Sequence, residues 1–233
     1  MTTPTYIARR GELEAYFDRT ASETWKRLTS DSPVGRVRAT VRAGREEMRQ
    51  TLLSWLPGDL SGARLLDAGC GTGALAVEAA RRGAHVVAVD VSATLVAHAA
   101  ERLPRDVNDG RIDFIVGDLL DPTLGRFDYV VAMDSLIHYD GADIVGTLGA
   151  LAQRASEKIV FTVAPRTPAL SVMHAVGQWF PRGDRSPAIA PISQRALERL
   201  FDAEEALRGW GLTRAHRIAR GFYISQAWEA RRS

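Results

Sequence analysis

Cysteine is nearly missing from this chain: Cys70 is the only one in 233 residues. A single thiol cannot close an internal disulfide, which suits a reducing compartment such as the cytoplasm. Lysine is scarce as well. Lys26 and Lys158 are the two lysines, so the other basic residues are arginines. Codon bias accounts for that choice, yet the chemistry follows either way, because each arginine offers a planar fork matched to carboxylates. Charge of one sign is not in excess. The formal net charge is +2, which removes the bulk electrostatic case for a nucleic-acid partner. No run approaches the roughly 20 apolar residues that a membrane span needs. The opening MTTPTYIARRGELEAYF has no apolar stretch of signal-peptide length. A cytoplasmic protein is expected, with peripheral membrane contact left open. The sequence also has no repeats, no low-complexity tract and no cluster with metal-ligand spacing.

The residues that are present suffice for one globular domain, 1–233, since 45% are hydrophobic and only 25% charged. Residues 1–60 read as a helical arm. Gly11 to Leu28 has helical spacing at Leu13, Tyr16, Phe17 and Trp25. Val34 to Leu56 repeats it at Val37, Val41, Met48, Leu52 and Trp55 or Leu56, until Pro57-Gly58 stops it. Arg38, Arg42, Arg45 and Arg49 share another face of that helix. They are either a solvated face or a row turned toward an acidic ligand.

From Ala63 the pattern changes. Short strands, apolar on both faces, are expected at Arg64–Ala68, His85–Asp90, Ile112–Gly117, Phe127–Met133 and Lys158–Ala164. Helices separate them at Ala74–Arg82, Ala93–Leu103 and Ala142–Ala155. A capped helix from Ser193 to about Arg208 follows, then two strands near Leu212–Arg220 and Phe222–Trp228. This alternation predicts an α/β, Rossmann-like, doubly wound, mostly parallel sheet covered on both faces. The proline-rich stretch 165–192 interrupts it. Its apolar positions Leu170, Val172, Met173, Val176, Trp179 and Phe180 would form one wall of an inserted lid, or simply pack on the sheet.

The sharpest motif is Asp67-Ala68-Gly69-Cys70-Gly71-Thr72-Gly73, which leaves the first strand and opens a helix. Glycines permit positive φ and close ligand approach, and a helix N-terminus offers unpaired N–H groups. Gly69, Gly71 and Ala74 also fit the dinucleotide pattern, which alone is weak. Asp67 separates the two readings. A carboxylate beside the first glycine would repel a pyrophosphate, whereas it would attract an ammonium or sulfonium. No second nucleotide half and no hydride-transfer site is evident.

The motif resembles the acid-x-G-x-G-x-G loop of class I S-adenosylmethionine (SAM)-dependent methyltransferases. The resemblance continues in order: Asp90 at the end of the second strand, Gly117-Asp118-Leu119 after the third, and Asp128 in the fourth. It implies Asp90 on the ribose hydroxyls and Asp118 near the adenine amino group. It also implies Asp67, Gly69, Cys70, Gly71, Gly73, Val91, Gly117, Leu119 and Met133 around the cofactor.

Other segments resemble the magnesium-protoporphyrin IX O-methyltransferase family over roughly residues 10 to 230. They are Tyr16-Phe17-Asp18 with Trp25, Arg42-Ala43-Gly44, Asp134-Ser135-Leu136-Ile137-His138-Tyr139, and Ala164-Pro165-Arg166-Thr167. That resemblance implies methyl transfer from SAM to one propionate of magnesium protoporphyrin IX in (bacterio)chlorophyll synthesis. The products are the monomethyl ester and S-adenosylhomocysteine (SAH). Magnesium would arrive inside the substrate, handed over by the large subunit of magnesium chelatase. His138 is the expected catalytic residue, as base or only as positioner of the carboxylate. Tyr139, Arg166 and His174 are expected at the porphyrin, with Arg166, Arg182 and Arg185 as candidates for its second propionate. Tyr16 and Trp25 would close over SAM, with Arg42 on its methionine carboxylate. Some family members carry a tyrosine where Thr29 stands, so no role for it is carried over. Three alternatives stay open: a methyltransferase of another small apolar substrate such as a quinone precursor, a silent SAM-binding regulator, and an NAD-dependent oxidoreductase.

Overall fold

The computed structural model describes residues 3–18, 36–104, 107, 110–166 and 188–232, with the backbone alone at 36–38. Chain order begins with two helices, α1 (Pro4–Tyr16) and α2 (Arg36–Ser54). Helix α1 starts at Pro4 rather than at Gly11. Thr3 caps it by accepting from the Tyr6 N–H, and a proline in the first turn loses no hydrogen bond. Residues 19–28 of the expected first helix, Trp25 among them, and Thr29 lie outside the described residues. In α2 the apolar stripe is as expected, with Met48 and Leu52 fully buried.

Strands and helices then alternate: β1 (Arg64–Ala68), α3 (Ala74–Arg81), β2 (His85–Asp90), α4 (Ala93–Glu101), β3 (Arg111–Val116), β4 (Phe127–Ala132), α5 (Gly141–Ala152) and β5 (Ala155–Val163). Helix α6 (Gln194–Ala203) and the hairpin β6 (Trp210–Arg220) and β7 (Tyr223–Arg232) end the chain. The third strand sits one residue earlier than expected, and the fifth begins at Ala155 rather than Lys158.

All seven strands join one sheet in the order β3-β2-β1-β4-β5-β7-β6. The first five pair in parallel, and β7 runs antiparallel to both β5 and β6. Neighbouring residues serve opposite faces. Leu66, Val130 and Phe161 join one core with Tyr6, Ile144 and Leu197, while Leu65, Val131 and Val160 join another with Met48, Leu52 and Ala76. That alternation explains why these strands read as unbroken apolar runs. The strand order reverses between β1 and β4, so a crevice opens there at the carboxyl ends of the strands. Among the described residues no helix is long and apolar enough to cross a membrane.

Candidate active site

A cavity of about 570 Å³ occupies that crevice. Its volume is that of a small-molecule site. The glycine loop forms its floor. Gly69 has φ +88°, and a Cβ there would lie 2.4 Å from the Ser135 Cβ, so only glycine lets the loop pass the turn after β4. The Gly69 and Cys70 N–H groups donate to the Val89 carbonyl, which extends the β1–β2 pairing into the loop.

Three carboxylates near this floor differ in role. Asp67 is buried, and its Oδ2 has no hydrogen-bond partner among the described residues. Burial first, and the Asp90 charge second, push its pKa up to about 7. The Asp90 carboxylate accepts from the Gly71 N–H at 2.8 Å and from the Ser92 N–H at 2.9 Å. These bonds aim it, and each oxygen keeps a second lone pair for a ligand hydroxyl. Burial raises its pKa as well. Asp118 behaves differently from the expectation. Its carboxylate accepts from the Tyr6 hydroxyl at 2.7 Å, from Arg10 Nη1 at 2.9 Å and from the Leu120 N–H at 2.9 Å. It holds α1 to the sheet and does not line the cavity, whereas Gly117 and Leu119 on either side of it do.

Other expected positions separate in the same way. Arg42, Asp67, Gly69, Cys70, Gly71, Asp90, Val91 and Met133 line the cavity, as do His138 and Tyr139. Gly73 does not. Its φ of +77° turns the chain into α3, and a Cβ there would meet the Phe114 ring at 2.9 Å. Tyr16 also stays off the wall; Tyr6 and Leu13 of the same helix, and Phe17 that caps it, take that place. Arg166 is exposed and outside the cavity, because the backbone bridge between Pro165 and Ile192 carries it past the site. His174, Arg182, Arg185 and the core of the expected lid lie outside the described residues. The Cys70 thiol, raised by burial, is no nucleophile at neutral pH.

His138 is buried in the short helical turn Leu136–His138 after β4. Its Nδ1–H donates to the Ala188 carbonyl at 3.3 Å. A carbonyl only accepts, so Nδ1 carries a proton and Nε2 is the nitrogen whose state can change. The Phe17 ring meets the imidazole edge-on at 6.3 Å. Tyr139 stacks on Tyr6 at 5.0 Å, and burial raises both phenols, so they stay neutral donors.

At the opposite wall, sequence reasoning offered the α2 arginines but missed the partners that hold them, Asp134 and Tyr223. Arg45 and Arg49 line the cavity beside Arg42, so these three arginines of α2 face the site, the second of the two readings their spacing allowed. Arg45 Nη1 donates to Asp134 at 2.7 Å, and the Tyr223 hydroxyl reaches the same carboxylate at 3.1 Å. Asp134 was visible only as part of the run before His138.

The residues fit SAM. An orphaned buried carboxylate oxygen suits a cation, the bare Gly69 backbone admits close approach, and aimed Asp90 oxygens suit a diol. The comparisons agree. The magnesium-protoporphyrin O-methyltransferase of Rhodobacter capsulatus is 51% identical over 97% of this chain and 98% of its own length. The chain belongs to the magnesium-protoporphyrin O-methyltransferase family. The family's C-terminal model, "Magnesium-protoporphyrin IX methyltransferase C-terminus", matches residues 132–232, and a general methyltransferase domain matches 65–157. The chloroplastic magnesium protoporphyrin IX methyltransferase of Arabidopsis thaliana is 31% identical, covering 94% of this chain and 70% of that one. The magnesium protoporphyrin IX methyltransferase of Synechocystis, solved with bound SAH, superposes with a TM-score of 0.83 at 27% identity. That match covers 97% of this chain and 100% of the other, so the fold of this family member is that of a class I SAM methyltransferase.

Proposed function

We propose that this protein transfers the methyl group of SAM to one propionate carboxylate of magnesium protoporphyrin IX. The products are the monomethyl ester and SAH, in (bacterio)chlorophyll biosynthesis. Full-length identity of 51% to a magnesium-protoporphyrin O-methyltransferase carries this reading. The cavity, with its orphaned Asp67 oxygen, supports the cofactor half.

Bound SAM supplies a methyl group made electrophilic by its sulfonium. Asp67 would meet the cationic end, Asp90 the ribose, Gly117 and Leu119 the base, and Arg42 the methionine carboxylate. A propionate has a pKa of about 4 to 5, so it is ionised at neutral pH and needs no strong base. A carboxylate oxygen bonds to the methyl carbon while the carbon–sulfur bond breaks, and no proton leaves. The protein therefore has to desolvate and align the carboxylate, which is where positioning supplies its several kcal/mol. His138 would hold that carboxylate, with Tyr139 beside it. Nδ1 is pinned by Ala188, which fixes the ring orientation. Magnesium is part of the porphyrin. We also read residues 1–233 as one methyltransferase domain with an N-terminal arm and a substrate lid over 165–192. Cytoplasmic placement with peripheral membrane contact, and hand-over from the magnesium chelatase large subunit, belong to the same proposal.

The test is methyl transfer from labelled SAM to magnesium protoporphyrin IX, beside metal-free protoporphyrin IX. We expect ester from the magnesium porphyrin. SAM binding without transfer to either porphyrin would reject the substrate and leave the cofactor site standing. His138→Ala should lower kcat by about 10²-fold through loss of carboxylate alignment, with SAM affinity kept; an unchanged kcat would remove His138 from the reaction.

A further inference from the structure

Asp134 is the one non-glycine residue with positive φ, +54°, among the described residues. Such a backbone persists only where its surroundings over-determine it, and it gathers at functional sites. The surroundings here are explicit. The Asp134 N–H donates to Thr162 Oγ1 at 2.7 Å, and that hydroxyl donates back to the carboxylate at 3.3 Å. Tyr223 donates at 3.1 Å and 3.2 Å to the two oxygens, Ser225 at 3.4 Å, and Arg45 at 2.7 Å. The Asp134 side chain is 4% exposed, and that of Arg45 20%.

The location of this group matters. Thr162 stands on β5 and Tyr223 and Ser225 on β7, on the far side of the switch point from Asp90 and Gly117. The nucleoside half of the cavity is thus at one end and Arg45 at the other. Arg49 follows Arg45 one turn on along α2. Its Nε is buried and has no hydrogen-bond partner among the described residues, and Glu46 pairs with its Nη2. Arg42, Arg45 and Arg49 line this wall with Glu46 and Asp134, three guanidiniums to two carboxylates.

We infer that Asp134 locks Arg45, with Arg49 beside it, as the anchor for the second, unreacting carboxylate of a dicarboxylic acceptor, and that this anchor stops transfer after one methyl. The inference rests on the proposed function. A diacid can place one carboxylate at His138 and the other at Arg45. The monoester can react again only by presenting its remaining acid at His138 and its neutral ester at Arg45. The neutral ester cannot replace the charge-assisted bond that the second carboxylate makes to the guanidinium, so the monoester binds in that orientation without it. Discrimination against the second methylation is then built as a penalty on the wrong ligand. Asp134 is a positioning residue; it acts through Arg45.

The experiment uses the purified full chain, with Arg45→Met and Asp134→Asn. Three quantities are measured: SAM affinity by calorimetry, kinetic constants for magnesium protoporphyrin IX, and dimethyl ester formed when the monomethyl ester is supplied as acceptor. The wild type should stop at the monoester. Arg45→Met should raise the KM for the diacid about tenfold, keep SAM affinity, and raise kcat/KM for the monoester relative to the diacid about tenfold. Asp134→Asn keeps acceptors for Tyr223 and Ser225 and tolerates positive φ, so it should fold, and SAM binding reports that it does. It should shift KM in the same direction with kcat held. Weakened SAM binding with an unchanged acceptor KM would give the wall to the cofactor's amino-acid end and overturn the inference. So would unchanged discrimination against the monoester in Arg45→Met. A wild type that makes no ester would overturn the proposed function and this inference with it, whereas an active wild type with an indifferent Arg45→Met overturns the inference alone.

Discussion

Asp67 shows how one carboxylate can be read and still surprise. Its place before Gly69 announced an acid for a cation, but its proton was not legible. Burial and Asp90 raise its pKa from 3.8 to about 7. Between those values the folded, ligand-free protein holds a proton that the unfolded chain has released. This contribution to stability is therefore greatest at low pH and declines as pH rises toward 7. Cofactor binding has the opposite sign. A sulfonium and an ammonium require the ionised carboxylate, so SAM affinity should rise with pH up to about 7 and level off above it. Binding should release protons near pH 6. Calorimetry in buffers of different ionisation enthalpy measures both. Asp67→Asn should weaken binding and flatten this dependence; a flat profile in the wild type would show that Asp67 does not face the cation.

At the scale of elements, α2 connects the fold to the site. It leans on the β6–β7 hairpin with Gly44 buried between them. A Cβ on Gly44 would stand 2.5 Å from Tyr223 Cδ1 and 2.9 Å from its Cβ. Glycine to alanine in a helix usually gains about 1 kcal/mol. Here the clash should reverse the sign. Gly44→Ala is expected to lose about 1–3 kcal/mol, seen as a lower Tm, and to raise the acceptor KM by shifting Tyr223 from Asp134. A Tm at or above the wild-type value would mean that α2 is not seated so closely. The sequence marked Gly44 only as part of Arg42-Ala43-Gly44. Helix α1 is tied in a comparable manner, with Tyr6 and Arg10 on Asp118 and Asp18 on Ser92 and Thr94. Those ties explain why the Asp118 carboxylate, expected at the adenine, belongs to the arm.

For the whole molecule, the cavity joins α1, α2 and the loops that follow β1 to β4, from Tyr6 to Tyr139, so its ligand should stabilise all of them together. SAH at about a hundred times its Kd should add about 2.7 kcal/mol. For a chain of this size that is a rise in Tm of about 5–10 °C. Differential scanning calorimetry checks it, and no shift at saturating SAH would argue against the cavity as the cofactor site.

The sequence by itself determined the α/β alternation, the parallel strands and the glycine loop that meets Asp67 and Asp90 at the crevice. Those features are local: the glycine loop, its acid and the helix behind it are contiguous, and Asp90 simply ends the next strand. Only the tertiary structure decided which acceptor-side groups meet. Asp134 finds Thr162 28 positions on and both Arg45 and Tyr223 89 positions away on either side. No spacing rule links residues on α2, β5 and β7. Their meeting depends on strand order and on α2 packing across the hairpin, and those are set by burial of the two cores rather than by any run of neighbouring residues.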